Sequence, residues 1–198
     1  MRKLILVCCA LFIAALTQAQ IEKGDVQLGG SINFNSNDFE AFDNSALRIQ
    51  PQVGLFVSST TSVGLTVGFT SIQNTLIDQN SGNPVELTNN LFVFGTYARF
   101  HKPVVENLYL FLQPSVLLGT GENEFSTPQT GDINTFNVGL APGITYFLSP
   151  KFALELNFGG LSYNRSKADL NGNETTLTNF SLNMSLANVG VGMSFYIK

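Results

Sequence analysis

The chain has 198 residues, a formal net charge of −4, and charged residues at only 12%, about half the usual share for a soluble domain. So little charge argues against a soluble surface, and the acidic balance offers no basic face to nucleic acid. Gly and Phe are plentiful and Trp is absent, so whatever covers this molecule is apolar or neutral.

The first 19 residues read as a secretory signal. Met1-Arg2-Lys3 is basic, Leu4 to Leu16 is an apolar run of 13 residues, and Thr17-Gln18-Ala19 puts small residues where a signal peptidase cuts. The run is shorter than the roughly 20 residues a membrane helix needs. Cleavage after Ala19 leaves residues 20–198 as one domain, and it removes Cys8 and Cys9, the only cysteines. Disulfides and thiolate sites are then excluded.

The remainder alternates apolar and polar residues with a period of two, the mark of strands. On the first strand Val26, Leu28, Gly30, Ile32 and Phe34 share a face. The second shows Leu47, Ile49, Pro51, Val53 and Leu55, and the third Val63, Leu65, Val67 and Phe69. The fourth sets Phe92, Phe94, Thr96, Ala98 and Phe100 against Leu91, Val93, Gly95, Tyr97, Arg99 and His101. Its Arg99 face belongs to the lumen, because an arginine facing lipid at mid-bilayer costs roughly 2–4 kcal/mol.

The fifth strand turns out Leu108, Leu110, Leu112, Pro114, Val116 and Leu118; the sixth Phe136, Val138, Leu140, Pro142, Ile144 and Tyr146; the seventh Phe152, Leu154, Leu156 and Phe158. The eighth starts with Phe180, Leu182, Met184 and Leu186, then resumes as Val189, Val191, Met193 and Phe195 with reversed parity. One inserted residue reverses the faces, so a bulge is predicted near Ala187-Asn188.

Connections are short after the even strands (Ser58 to Ser62, Lys102 to Asn107, Leu148 to Pro150) and about ten to fifteen residues after the odd ones. Short periplasmic turns and long outer loops are the rule for outer-membrane barrels. The expected fold is therefore all-β, an eight-stranded antiparallel up-and-down transmembrane barrel with both termini periplasmic. The long loops hold ten of the fourteen acidic residues, including Asp38, Glu40, Asp43, Glu122, Glu124 and Asp132, against Arg165 and Lys167.

A secreted soluble barrel or sandwich shows the same alternation with its apolar face turned inward. Its outer face would then be the Gly, Ser, Thr, Asn and Gln one, with only Asp25, Arg48, Arg99 and Glu155 for charge. That suits a packed lumen better than a solvated surface.

Pro51, Pro114 and Pro142 fall inside strands, where each removes a ladder donor, so they are expected at bulges or ladder breaks. Two belong to a repeat: Pro51 to Ser58 matches Pro142 to Ser149 at an offset of 91 residues, and Val63, Leu65 and Val67 match Leu154, Leu156 and Phe158. An offset of four strands suggests two related halves.

Pro51 to Phe69, Thr96 to Phe100 and Ala141 through Tyr163 resemble the outer-membrane β-barrel domain family common in Bacteroidetes, often labelled PorT-like. Thr96 stands where the family pattern has a proline. The resemblance implies an OmpA/OmpX-like eight-stranded barrel in a Gram-negative outer membrane, but no single activity. At the C-terminus, Asn188, Gly190, Met193 and Phe195 resemble the pattern by which barrel insertion machinery recognises a last strand.

Catalysis is not expected. Small barrel enzymes usually rely on histidine, and the only one, His101, is expected at a periplasmic turn, away from the outer loops. No cofactor or dedicated metal site is expected either: one histidine supplies a single ligand, which leaves only weak carboxylate sites for Ca²⁺ or Mg²⁺, such as divalent ions bridging the loops to lipopolysaccharide phosphates. Eight strands enclose an interior just wide enough for side chains, and this one must hold Arg48, Phe56, Tyr97, Arg99, Tyr109, Phe111 and Phe147. Arg99, Glu155 and Asp25 count to the same half of the lumen, so an ion pair is predicted between Arg99 and either Glu155 or Asp25.

Two function classes survive. One is a monomeric structural or interaction barrel whose acidic outer loops meet lipopolysaccharide or an unknown protein partner. The other is a narrow channel or accessory subunit of a secretion or uptake system.

Overall fold

The computed structural model describes residues 21–39, 42–77, 84–125, 130–170, 173–183 and 190–198. The expected signal segment, Asn188 and the bulge predicted near it lie outside them. Ten strand segments follow: β1 (Val26–Phe39), β2 (Phe42–Ser58), β3 (Thr61–Ile77), β4 (Pro84–Val105), β5 (Leu108–Phe125), β6 (Thr130–Ser149), β7 (Phe152–Asn157), β8 (Gly160–Leu170), β9 (Asn173–Asn183) and β10 (Gly190–Ile197). They form one antiparallel sheet with eight strand positions in a ring, because β7 and β8 share the sixth strand as neighbour and β9 and β10 follow beside them. β1 closes the ring on β10, from Val26↔Ile197 to Ile32↔Val191.

One face of this sheet is covered by neighbours and the other is not. Along β10, Gly190, Gly192, Ser194 and Tyr196 are buried while Val191, Met193, Phe195 and Ile197 are exposed. Leu65, Val67, Phe92 and Phe94 are each more than half exposed. From Val63 to Phe69 the outward apolar run spans roughly 20 Å at about 3.3 Å per residue, close to the apolar band of a membrane barrel. Turning those side chains into lipid gives them the environment that water would deny.

The seventh strand does not end near residue 159, where its outward pattern stops. It kinks there and continues as β8, since Gly159 and Gly160 adopt φ values of 76° and 150° that L side chains avoid. A Cβ on Gly159 would also stand 2.2 Å from the Asn183 carbonyl oxygen. Across the kink the outward parity reverses, from Leu154 and Leu156 to Tyr163 and Arg165.

The expected long loops are mostly strand. β1 and β2 stay paired to Phe39↔Phe42, β3 and β4 to Ile77↔Pro84, β5 and β6 to Glu124↔Thr130, and β8 and β9 to Leu170↔Asn173. Beyond the bilayer both faces of a hairpin meet water, so the apolar alternation disappears while the backbone ladder persists. At the other end the turns are tight: Ser59-Thr60, Glu106-Asn107 and Pro150-Lys151. Val26 and Ile197 pair at that same end, which we call the turn end; the opposite is the hairpin end.

All three strand prolines lie where one flanking ladder lapses. β2 leaves β3 between Ile49↔Phe69 and Gln52↔Thr66, around Pro51. β4 leaves β5 between Tyr97↔Ser115 and Phe100↔Leu112, around Pro114. β6 changes partner from β8 to β7 between Leu140 and Gly143, around Pro142. The missing N–H thus falls where no donor is needed.

Candidate functional site in the barrel lumen

The turn end of the lumen is closed by aromatic rings. Each even-numbered ring position ends in a dipeptide whose first residue faces out and whose second faces in: Leu55-Phe56, Phe100-His101, Tyr146-Phe147 and Phe195-Tyr196. The inward members recur at spacings of 45, 46 and 49 residues. Each donates its backbone N–H to a carbonyl at the base of a neighbouring strand: Phe56 to Asp25 at 2.9 Å, His101 to Thr60 at 2.7 Å, Phe147 to Asn107 at 2.8 Å and Tyr196 to Lys151 at 2.9 Å. A register shift follows in three of the four, at Phe56/Ser58, Pro103/Val105 and Phe147/Ser149. The repeat is therefore a hairpin repeat, finer than the two halves read from the sequence.

These four rings and Tyr109 form a closed circuit. Centroid separations are 5.2 Å for Phe56–His101, 5.9 Å for Phe56–Tyr196, 4.7 Å for Phe147–Tyr196, 5.5 Å for Tyr109–Phe147 and 6.5 Å for His101–Tyr109. Such tilted and edge contacts are favourable ring geometries. His101 is thus not in a turn, as its position beside Lys102 and Pro103 suggests; it lies within β4, 4% exposed. Neither of its ring nitrogens has a hydrogen-bond partner.

Above the rings sits a charged layer. Arg99 Nη1 donates to Glu155 Oε1 at 2.7 Å, with the two side chains 2% and 1% exposed. Arg99 Nε donates to Gln113 Oε1 at 2.7 Å. Glu155 Oε1 also accepts from Gln27 Nε2 at 2.8 Å and from Ser194 Oγ at 2.7 Å, and the Arg99 guanidinium lies 4.3 Å from the Phe111 ring centroid. A buried pair needs such added bonds to offset its desolvation. The structure therefore brings Arg99 and Glu155 together and leaves Asp25 elsewhere, its Oδ2 accepting from the Glu22 backbone N–H at 2.9 Å. Asp25 belongs to the segment leading into β1, where that local bond is within reach and Arg99 is not needed.

The hairpin end of the lumen is different, and here the expectation of a side-chain-filled interior fails. A cavity of about 550 Å³ opens there above the Arg99–Glu155 pair, lined by small or slender residues such as Ser31, Ala46, Thr70, Ser115, Ala141 and Gly159, together with Arg48. The bulky lumen residues are not spread along the barrel. Phe56, Tyr97, Tyr109, Phe111 and Phe147 all crowd the turn end, where they are buried.

Of the remaining residues singled out from the sequence, Gly190 faces the lumen, where a Cβ would stand 2.5 Å from Asn33 Oδ1. Met193 and Phe195 face outward and are 54% and 56% exposed. Tyr196 and Gln27 escaped the sequence reading, although the repeated aromatic dipeptide marks the first. Gln27 carries no such mark.

Similarity to known proteins agrees with this geometry. The family model described as "outer membrane protein beta-barrel domain" matches residues 5–197. Comparison with curated protein sequences gives no match. A major outer membrane protein from Thermus thermophilus superposes with a TM-score of 0.52 at 10% identity, covering 88% of this chain and 99% of that one. Neisserial surface protein A gives 0.48 at 11% identity, over 88% and 97%.

Proposed function

Because the chain belongs to the outer membrane protein β-barrel domain family, we propose that it is a sealed, non-catalytic barrel of the outer membrane that acts through its hairpin end. The observation that carries this is the aromatic circuit of Phe56, His101, Phe147, Tyr196 and Tyr109. Five contacting rings backed by a buried ion pair leave no continuous path for hydrated ions.

The turn end is then periplasmic, in keeping with tight turns there and extended hairpins opposite. Four carboxylates lie in register across the outward face of the hairpin end, Glu122↔Asp132↔Asp169↔Glu174. No group of three or more acidic or histidine side chains among the described residues is placed to hold a metal ion. All four side chains are exposed, so the row presents an acidic surface to solvent, which supports an interaction role. Nearer the apolar band on β8, Arg165 and Lys167 also face outward, at a level that suits lipopolysaccharide phosphates; a protein partner for the acidic row completes the reading.

The remaining assignments follow from sequence. Residues 1–19 serve as the secretory signal, and Asn188, Gly190, Met193 and Phe195 as the assembly signal read by insertion machinery. The barrel works as a monomer of the PorT-like Bacteroidetes type.

Planar-bilayer recording tests the seal. Silence over long recordings is expected of the intact protein; steady openings would favour the channel or secretion-accessory reading instead. A heat-modifiable shift on unboiled gels establishes the folded barrel in the same preparation.

A further inference from the structure

The hairpin-end cavity carries a charge, on the exposed Arg48, that has no acidic partner among the described residues. Arg48 lies on the lumen face of β2, between Asn33 on β1 and Thr70 on β3 in the ladder, and it lines the cavity. The only buried ion pair among the described residues joins Arg99 to Glu155, and no described carboxylate pairs with Arg48. The cavity wall thus holds two guanidinium groups and one carboxylate, with the surplus positive charge on the member nearer the open end.

The rest of the wall is suited to hydroxyl groups. The amides of Asn33, Gln50 and Gln52 line the cavity without side-chain hydrogen bonds to other described residues. Backbone design keeps the space open. Gly190 leaves room for Asn33, and a Cβ on Gly68 would stand 2.9 Å from Gln50 Cγ. About 550 Å³ lies within the usual range of small-molecule sites. The acidic row on β5, β6, β8 and β9 is no part of this wall, because its side chains face outward from the ring and Arg48 faces the lumen.

We propose that this vestibule is a binding site for a small hydroxylated oxyanion, such as a sugar phosphate or sulfate, with Arg48 as its counter-charge and the free amides as partners for its hydroxyls. Guanidinium matches phosphate, sulfate and carboxylate oxygens in a bidentate fork. The Arg99–Glu155 layer and the rings beneath it make the site blind, so it retains a ligand instead of passing it on.

Calorimetric titration of the folded barrel in detergent tests this, with glucose 6-phosphate, inorganic phosphate and glucose as probes. Saturable binding of glucose 6-phosphate is expected, at least tenfold tighter than glucose and tighter than inorganic phosphate. Arg48→Gln should weaken it at least tenfold. Ala46→Phe, which keeps the charge and fills the space, should do the same. The double variant Arg165→Gln/Lys167→Gln, on the outer surface, should bind as the parent does. Undiminished affinity in Arg48→Gln, loss that tracks the surface pair, or no saturable binding of either phosphate probe would overturn the proposal. Bilayer recordings read the seal separately, so the two readings fail independently.

Discussion

The two ends of the barrel share one antiparallel ladder and spend it differently. At the turn end, large side chains enter from every even ring position and the interior is closely filled, with Phe56, Arg99, Phe147, Glu155 and Tyr196 all no more than 3% exposed. At the hairpin end the inward positions are mostly Ser, Ala, Thr, Asn, Gln and Gly, with Arg48 and Leu117 among them, and a cavity remains. The difference shows that an eight-stranded ring does not dictate a filled lumen. Strand number sets the width, and the residues at each level decide whether that width is core or vestibule. Stability should accordingly reside in the turn end, and variants should separate the two by size of effect.

The largest loss should follow Glu155→Ala or Arg99→Ala, either of which strands a buried charge. About 3–5 kcal/mol is expected, read as a lowered urea midpoint of the folded barrel in detergent. Removing both partners with Arg99→Met/Glu155→Leu should recover most of it, since no unpaired charge remains. If each single variant costs no more than the double, the pair is not the keystone of that end.

Next come the rings. Phe147→Ala should cost about 3 kcal/mol by opening a cavity in the circuit. His101→Phe is the sharper test, because the other three equivalent positions carry Phe or Tyr and the His101 nitrogens have no partners. Replacing it should be neutral or stabilising in the same urea assay, and a marked loss would show that its nitrogens matter.

Much of this was legible beforehand, and the limits are physical. Residues such as Leu65, Phe94 and Met193 announce themselves because lipid on one side and lumen on the other enforce a strict period of two. Arg99 could be turned inward by energy alone, and its parity with Glu155 brought two partners to one half. The hairpin extensions were illegible because water bathes both faces beyond the band, so no alternation marks them. The kink at Gly159 was hidden for another reason: glycine permits a positive φ without requiring it. The vestibule depends on how bulky residues are distributed by level, which a list of inward residues does not show.

The kink gives an intermediate effect. Gly159→Ala places a Cβ against the Asn183 carbonyl and forces an L residue into a left-handed conformation, together costing about 1–3 kcal/mol. Because β8 and β9 lie beyond the kink, the loss should appear first as proteolytic nicking of that hairpin while the heat-modifiable shift survives. Simultaneous loss of both would mean that the two ends unfold as one.

The smallest effect belongs to the outer face of the hairpin end. Asp132 stands between Glu122 and Asp169 in the carboxylate row, so Asp132→Asn removes two like-charge contacts and leaves the ladder intact. A gain of a few tenths of a kcal/mol is expected, at the edge of detection in one urea titration but resolvable through its salt dependence. Exposed charges are screened over about 8 Å at physiological ionic strength and about 3 Å at 1 M. The gain should therefore be greatest in dilute buffer and vanish at high salt, whereas the cost of Glu155→Ala, set by burial, should barely change. Equal salt responses from the two variants would erase the distinction between a buried turn end and an exposed hairpin end.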